Sequence, residues 1–339
     1  YFSEELNAMI TNKHPHIAPH KFLTGFMTSD ETIVGYDGSR DFFIGAYNGY
    51  NEPEAVIRGK CSNSSGSSDA TIGAVQYDFQ LQPAETKSIN MMLGATDSEN
   101  GILEFRKKYI GNFEKFFLHL KEENETFINS NKINTPDEHL NRMVNVWMKH
   151  QTSYGARWCR WGWMGYRDIV QHGLGVSTFN PSRTKEIIIE ALKHLNSTGV
   201  ALRGWNPVDT KPYSDSAVWL VYTLTSYLKE TADLDFLNLE LSYFDEGYGS
   251  VLEHIEKALL FLELNKGAHN LCLIKYGDWN DSLTGIGKEG RGESVWLSMA
   301  YAEALREMEE LFGFSGNNEK SENYRLRYNS IKKAINENA

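Results

Sequence analysis

Two spacings of apolar residues divide this chain. Between about residues 20 and 100 the apolar positions fall in short runs, at 33–36, 42–47 and 74–81, set apart by Gly, Asn, Asp and Ser. The run at 74–81 alternates at period two, as a strand with one wet face does. Residues 82–86, with Pro83, read as a turn into a further run at 89–94. Residues 61–70 are rich in Ser and Gly and read as an exposed loop. Short strands between many turns predict a β-sandwich.

From about residue 102 the period changes. Phe105, Tyr109, Phe113, Phe116, Phe117 and Leu120 recur at three and four, with Lys and Glu between them. That spacing predicts an amphipathic helix, followed by a polar link over 121–134. Beyond it the pattern is helical. Thr135-Pro136-Asp137-Glu138 reads as a capping box with Pro at the first helical position. Asn180-Pro181, Ser214-Asp215 and Ser250-Val251-Leu252-Glu253 read as further helix starts. Two more helices are expected over 293–312, stopped by Gly313, and over 322–337. The loops between them are long and rich in Trp, Gly and Asp, and such loops usually carry function. With no repeated motif, helices in two rings with active-site loops at one end, an α/α toroid, fit this layout better than a solenoid.

Composition narrows the chemistry. The net charge of −11 argues against nucleic acid, which needs a basic patch. No window of about 18 apolar residues occurs, so no membrane span is expected. No leader is visible, but the chain begins at Tyr1 rather than Met and reads as a fragment. Cys61, Cys159 and Cys272 form neither a disulfide framework nor a zinc spacing, which favours a reducing, cytoplasmic compartment. The His residues show no metal spacing, and no phosphate-binding or dinucleotide-binding glycine motif appears. Aromatic residues make up 12% of the chain, many of them in polar loops, a weak pointer to carbohydrate.

Four segments could carry chemistry. Arg157-Trp158-Cys159-Arg160-Trp161-Gly162-Trp163-Met164-Gly165-Tyr166-Arg167-Asp168 places stacking rings beside guanidinium donors and a carboxylate, which suits a sugar. A loop packed on its own aromatics, with Arg167 and Asp168 as a structural pair, explains it equally well. His172, close by, is the one His expected to line a site. Asp215 reads first as a helix cap, and Trp219 as core. Tyr276-Gly277-Asp278-Trp279-Asn280-Asp281 has a stronger functional case: an apolar ring face, hydrogen-bonding groups and two candidate acids in one loop. Gly290-Arg291-Gly292-Glu293 could bind an anion at a helix start, or be a capped, solvated turn.

Together these segments resemble glycoside hydrolase family 94, the inverting β-glycoside phosphorylases. The likeness rests on Gly165-Tyr166-Arg167-Asp168 with Gln171, Tyr213-Ser214-Asp215 with Trp219-Leu220, Gly277-Asp278-Trp279-Asn280-Asp281, and Gly290-Arg291-Gly292-Glu293-Ser294-Val295-Trp296-Leu297. The last stretch is especially similar to β-1,2-oligoglucan phosphorylases and the phosphorylase domain of cyclic β-1,2-glucan synthases. The resemblance implies an α+β multidomain chain: the C-terminal part of a β-sandwich over 1–101, a helical linker over 102–134, and the N-terminal half of an (α/α)6 catalytic barrel over 135–339. It implies Asp281 as general acid. It also implies Trp279, Arg167 and Asp168 as sugar ligands, with Asp278, Asn280, Glu293 and Arg291 around them. Inorganic phosphate would be the co-substrate and nucleophile, releasing α-D-glucose 1-phosphate from a β-gluco-oligosaccharide. No metal or organic cofactor is implied, and a homodimer is. The family's phosphate ligands lie later than Ala339. The sugar-binding Arg that cellobiose phosphorylases carry is Gly162 here, between Trp161 and Trp163, which weakens a cellobiose assignment.

A general acid must hold its proton near neutrality, whereas a free Asp has a pKa of about 3.9. Burial beside Trp279 and the charge of Asp278 are expected to raise it, and about three units would cost roughly 4 kcal/mol. Two other readings stay open. One is an inverting β-glucan hydrolase using Asp168 or Glu293 as a second carboxylate. The other is a non-catalytic carbohydrate-binding fragment.

Overall fold

A computed structural model describes residues 1–12, 23–67, 70–159, 164–283 and 285–339. The chain forms two compact units, Tyr1–Thr126 and Phe127–Ala339.

In the first unit, β1 (Phe2–Ser3), β2 (Ala8–Asn12), β3 (Thr24–Ser29) and β6 (Met91–Thr96) form an antiparallel sheet in the order β1-β2-β3-β6. A separate antiparallel pair joins β4 (Gly35–Ser39) to β5 (Thr71–Gln76). Between β4 and β5 lie two short helices, α1 (Arg40–Ile44) and α2 (Glu54–Ile57). The apolar run at 42–47 is therefore helical at its start and not a strand. A run this short does not fix its own period, and Phe42 is exposed instead of facing a core. The strand expected over 74–81 begins and ends earlier, at Thr71 and Gln76. Asp37 is fully buried, and its carboxylate accepts from the backbone and hydroxyl groups of Ser62 and Ser64, tying the Ser-rich loop to β4.

Two helices follow, α3 (Glu99–Tyr109) and α4 (Phe113–Asn129). Ile102 of α3 packs with Leu6, Ala8, Ile10 and Phe26 of the first sheet. Gly111, with a φ of +79°, breaks what the spacing predicts as one helix. Helix α4 also runs to Asn129, through much of the segment expected to be a polar link. Its Lys and Glu are good helix formers, so polarity there does not mean a loop.

The second unit is helical. Helix α5 (Glu138–Arg142) continues through a π-helical turn, Met143–Met148, into α6 (Lys149–Trp158). Its cap is Asp137, which accepts from the N–H groups of His139 and Leu140, two residues beyond the expected Thr135. Strand β7 (Met164–Gly165) leads into α7 (Tyr166–Val176), then α8 (Pro181–Leu192), capped by Asn180 with Pro181 at its first position. Strands β8 (Gly204–Asn206) and β9 (Val208–Asp209) precede α9 (Ser216–Thr231). Then come β10 (Glu240–Ser242), β11 (Tyr248–Ser250) and α10 (Val251–Leu264), whose capping box of Ser250 and Glu253 forms as its sequence predicts. Helices α11 (Val295–Phe314) and α12 (Asn318–Asn338) complete the unit.

Helix α9 is the axis of this unit and packs on α7, α8, α10 and α11. Its run Ala217, Val218, Leu220, Val221 and Leu224 is buried on most sides, which suits a central helix. Strand β7 pairs with β8, and β8 with β9, in a small sheet next to the start of α7. The helix-rich unit with small sheets makes the chain α+β.

Gly199 closes the turn after α8. Its φ is +85°, and a Cβ there would lie 2.2 Å from the carbonyl oxygen of Lys257 on α10. Gly199→Ala is expected to destabilise the second unit by about 1–3 kcal/mol, read as a lower urea midpoint.

Candidate active site

Arg167, Asp215, Asp278 and Asp281 gather where α7 and α9 begin, beneath the loop before α11. Tyr213 and Ser214 hold that loop by its backbone. Ser214 N–H donates to the Gly277 carbonyl at 3.0 Å, and its hydroxyl donates to the Ile274 carbonyl at 3.0 Å. Gly277 lies against the Tyr213 ring, 3.0 Å from where a Cβ would sit, so no larger residue fits without a shift. The loop therefore enters the site at a fixed height.

Arg167, in the first turn of α7, gathers the carboxylates. Its Nη1 donates to Asp215 Oδ2 at 3.2 Å and to the Asp278 carbonyl at 2.8 Å. Its Nη2 donates to Asp281 Oδ1 at 2.9 Å. The guanidinium also lies 5.9 Å from the Tyr213 ring centroid. Partial burial works against its charge, but the Asp215 and Asp281 carboxylates outweigh this and hold its pKa above the ordinary value. Asp168, next in the same turn, is partly buried and has a partner of its own.

Asp215 is completely buried. It occupies the cap position of α9, yet its side chain makes no capping hydrogen bond. Oδ2 instead accepts from Arg167 and from the indole N–H of Trp219 at 3.1 Å, while Oδ1 has no hydrogen-bond partner among the described residues. Burial pushes this carboxyl up to about 6 against the pull of Arg167 and Trp219, and the Asp278 charge adds to the rise.

The two Asp of the 277–281 loop differ in setting. Asp278 is buried, and its carboxylate accepts from the Asn280 N–H at 2.9 Å and from the Ser294 hydroxyl. Ser294 in turn caps α11 by accepting from the Leu297 N–H at 3.0 Å. Asp278 thus ties the loop to the helix start. Asp281 opens a 3-10 turn, Asp281–Leu283, and its side chain is 60% exposed. The burial expected around Asp281 is absent, and the Trp279 ring stacks on Trp296. Their ring centroids are 5.9 Å apart at 25°. Trp296 in turn lies 6.1 Å from Trp219. Trp279 remains 55% exposed and keeps ring surface open to a ligand. Asn280 is exposed and accepts from the Ser282 N–H at 3.1 Å.

Glu293 and Arg291 are bonded elsewhere. Glu293 accepts from the His269 N–H at 2.9 Å and pairs with the His269 ring at 2.6 Å. Burial opposes its charge, but these contacts and the Leu271 N–H outweigh it and hold the carboxyl below its usual range. Arg291 pairs with Glu289 on the surface. His172 lies under α6, where a Cβ on Gly155 would meet its ring. Arg160, Trp161, Gly162 and Trp163 lie outside the described residues.

Sequence reasoning passed over three residues: Asp215 as more than a cap, Trp219 as more than core, and Trp296 as the stacking partner of Trp279. One signal was available. Asp215 and Trp219 are four apart at a helix start, so they share a face. Among the described residues, no group of three or more His, Cys, Asp or Glu could hold a metal ion. No helix there is long and apolar enough to cross a membrane.

The supersandwich domain of glycosyl hydrolase family 94 matches residues 1–112, and the catalytic domain of that superfamily matches residues 124–339. The chain belongs to glycosyl hydrolase family 94. A solabiose phosphorylase of Paenibacillus borealis is 36% identical over 92% of this chain and 41% of its own length. An N,N'-diacetylchitobiose phosphorylase of Vibrio furnissii is 26% identical over 91% of this chain and 43% of its own. A cyclic β-(1,2)-glucan synthase of Rhizobium meliloti (strain 1021) is 28% identical over 86% of this chain and 11% of its own. The chain thus spans about two fifths of the length of the phosphorylases it matches.

Two outcomes test the geometry. Ser294→Ala removes both the α11 cap and the hydroxyl donor to buried Asp278, and should cost about 2 kcal/mol in urea unfolding. Folded Asp215 holds its proton more tightly than the unfolded chain does, so its contribution to stability is full at low pH. It is lost as pH rises from the ordinary 3.8 through about 6. The wild type should therefore lose roughly 3 kcal/mol relative to Asp215→Asn between about pH 4 and pH 7.

Proposed function

We propose that the protein cleaves a β-glucosidic linkage of a gluco-oligosaccharide with inorganic phosphate, inverting the anomeric centre and releasing α-D-glucose 1-phosphate. The observation that carries this reading is the exposed Asp281 carboxyl, held by Arg167 beside the open face of Trp279, in a chain of glycosyl hydrolase family 94. Family relatives named as phosphorylases of several disaccharides support phosphorolysis as the reaction class. The likeness to a cyclic β-(1,2)-glucan synthase supports a glucosyl substrate.

In this reading the sugar ring lies on Trp279, an apolar face that suits the C–H side of a pyranose. Arg167 and Asp168 bond its hydroxyls, with Asn280 at the rim. The ring covers Asp281 and removes water from it, and a carboxyl without water favours its proton-carrying form. A sugar hydroxyl that competes for Arg167 Nη2 acts in the same direction. Asp281 then protonates the leaving oxygen as the bond breaks. Phosphate, already an anion, attacks the anomeric carbon from the opposite face, so no second carboxylate is needed to activate water. Asp278 holds the loop, and Glu293 anchors the turn at His269. The catalytic unit is completed as an (α/α)6 toroid, works without metal or organic cofactor, and forms a homodimer.

The protein in its full length, given β-1,2-linked and other β-gluco-oligosaccharides with phosphate, should release α-D-glucose 1-phosphate. Asp281→Asn should lower kcat by about 10²–10⁴-fold while far-UV circular dichroism stays unchanged. Glucose release that does not depend on phosphate would overturn phosphorolysis in favour of hydrolysis. Full activity in Asp281→Asn would move the acid elsewhere.

A further inference from the structure

We propose that Asp215 is the positioning residue of this site, with a single carboxylate oxygen fixing both the acid and the sugar platform. Oδ2 takes the Arg167 Nη1–H at 3.2 Å and the Trp219 Nε1–H at 3.1 Å. From Arg167 the chain of contacts runs to Asp281 Oδ1 at 2.9 Å. From Trp219 it runs through Trp296, at 6.1 Å between centroids, to Trp279 at 5.9 Å. Both arms leave one atom and end on the two functional groups of the same loop.

Neither local structure nor stability accounts for this carboxylate. It stands at a helix start but caps nothing. It is fully buried, and one of its oxygens has no hydrogen-bond partner among the described residues. Burying a carboxylate costs several kcal/mol, and an apolar group of similar size often serves stability as well or better. What an apolar group cannot do is accept from two donors at once. A guanidinium released from Asp215 would keep Asp281 and the Asp278 carbonyl, but its plane would no longer be set. An indole released from Asp215 would be free to turn, and Trp296 and Trp279 with it.

The catalytic consequence rests on the phosphorylase reading; the geometric one does not, and the experiment separates them. Asp215→Asn keeps the size and one acceptor oxygen but removes the negative charge that holds the guanidinium, and it buries an NH2 group with no acceptor at the place of Oδ1. In the full-length protein it should lower kcat about 100-fold with a smaller change in KM, as expected when reacting groups shift by about an ångström. It should also weaken the near-UV circular dichroism of the stacked indoles. Trp219→Phe keeps a ring but removes the N–H, so it should raise KM several-fold and spare most of kcat. The double variant should be less than additive, since both act through one atom. Wild-type kcat, KM and near-UV signal in a folded Asp215→Asn would overturn the proposal. If Asp215→Asn does not fold, unchanged KM in Trp219→Phe overturns it. If the wild type shows no phosphorolysis, the functional reading fails alone, and the near-UV signal of Asp215→Asn still decides this one.

Discussion

The buried contact between Asp215 and Arg167 is the constraint on which the second unit's polar end depends. A carboxylate with no exposure is stable only with its charge matched and its oxygen bonded, and Arg167 does most of this. That requirement fixes α7 against α9, because the two residues sit in the first turn of one helix and at the start of the other. It also brings the guanidinium to the Asp278 carbonyl and the Asp281 carboxylate, so the loop before α11 is held from below by a single side chain.

The loop is held from its other sides by further polar contacts. Ser214 bonds the Gly277 carbonyl, Asp278 bonds the hydroxyl that caps α11, and Glu293 bonds the turn at His269. Each uses a polar group whose burial would otherwise be costly. The result divides labour between neighbouring acids. Asp278 is buried and bonded within the fold, whereas Asp281 keeps most of its side chain exposed on its contact with Arg167.

Much of this was legible in order and kind. The change from period two to period three-to-four marked the strand-rich and helical parts, and the Ser250–Glu253 and Asn180-Pro181 starts formed where their spacing placed them. The short run at 42–47 went the other way, because four or five apolar residues fit either period. The cap of α5 moved from Thr135 to Asp137, since several side chains there can accept from a free N–H and packing chose among them. Family motifs brought Arg167, Trp279 and Asp281 to attention together. They did not show that Glu293 and Arg291 bond elsewhere.

By itself the sequence determined the elements and the cast: amphipathic helices with their caps, a Gly-bounded loop carrying Trp279 and Asp281, and Arg167 and Asp215 at helix starts. These follow from local propensity and spacing, which act over a few residues. Only the tertiary structure decided which carboxylate is buried and which faces solvent. Exposure depends on residues 48 and 114 positions from Arg167, brought near it by packing of α7, α9 and α11. The same packing stacked Trp279 on Trp296. No period or motif carries that, because stacking direction is set by the partner's place in space and not by the chain between them.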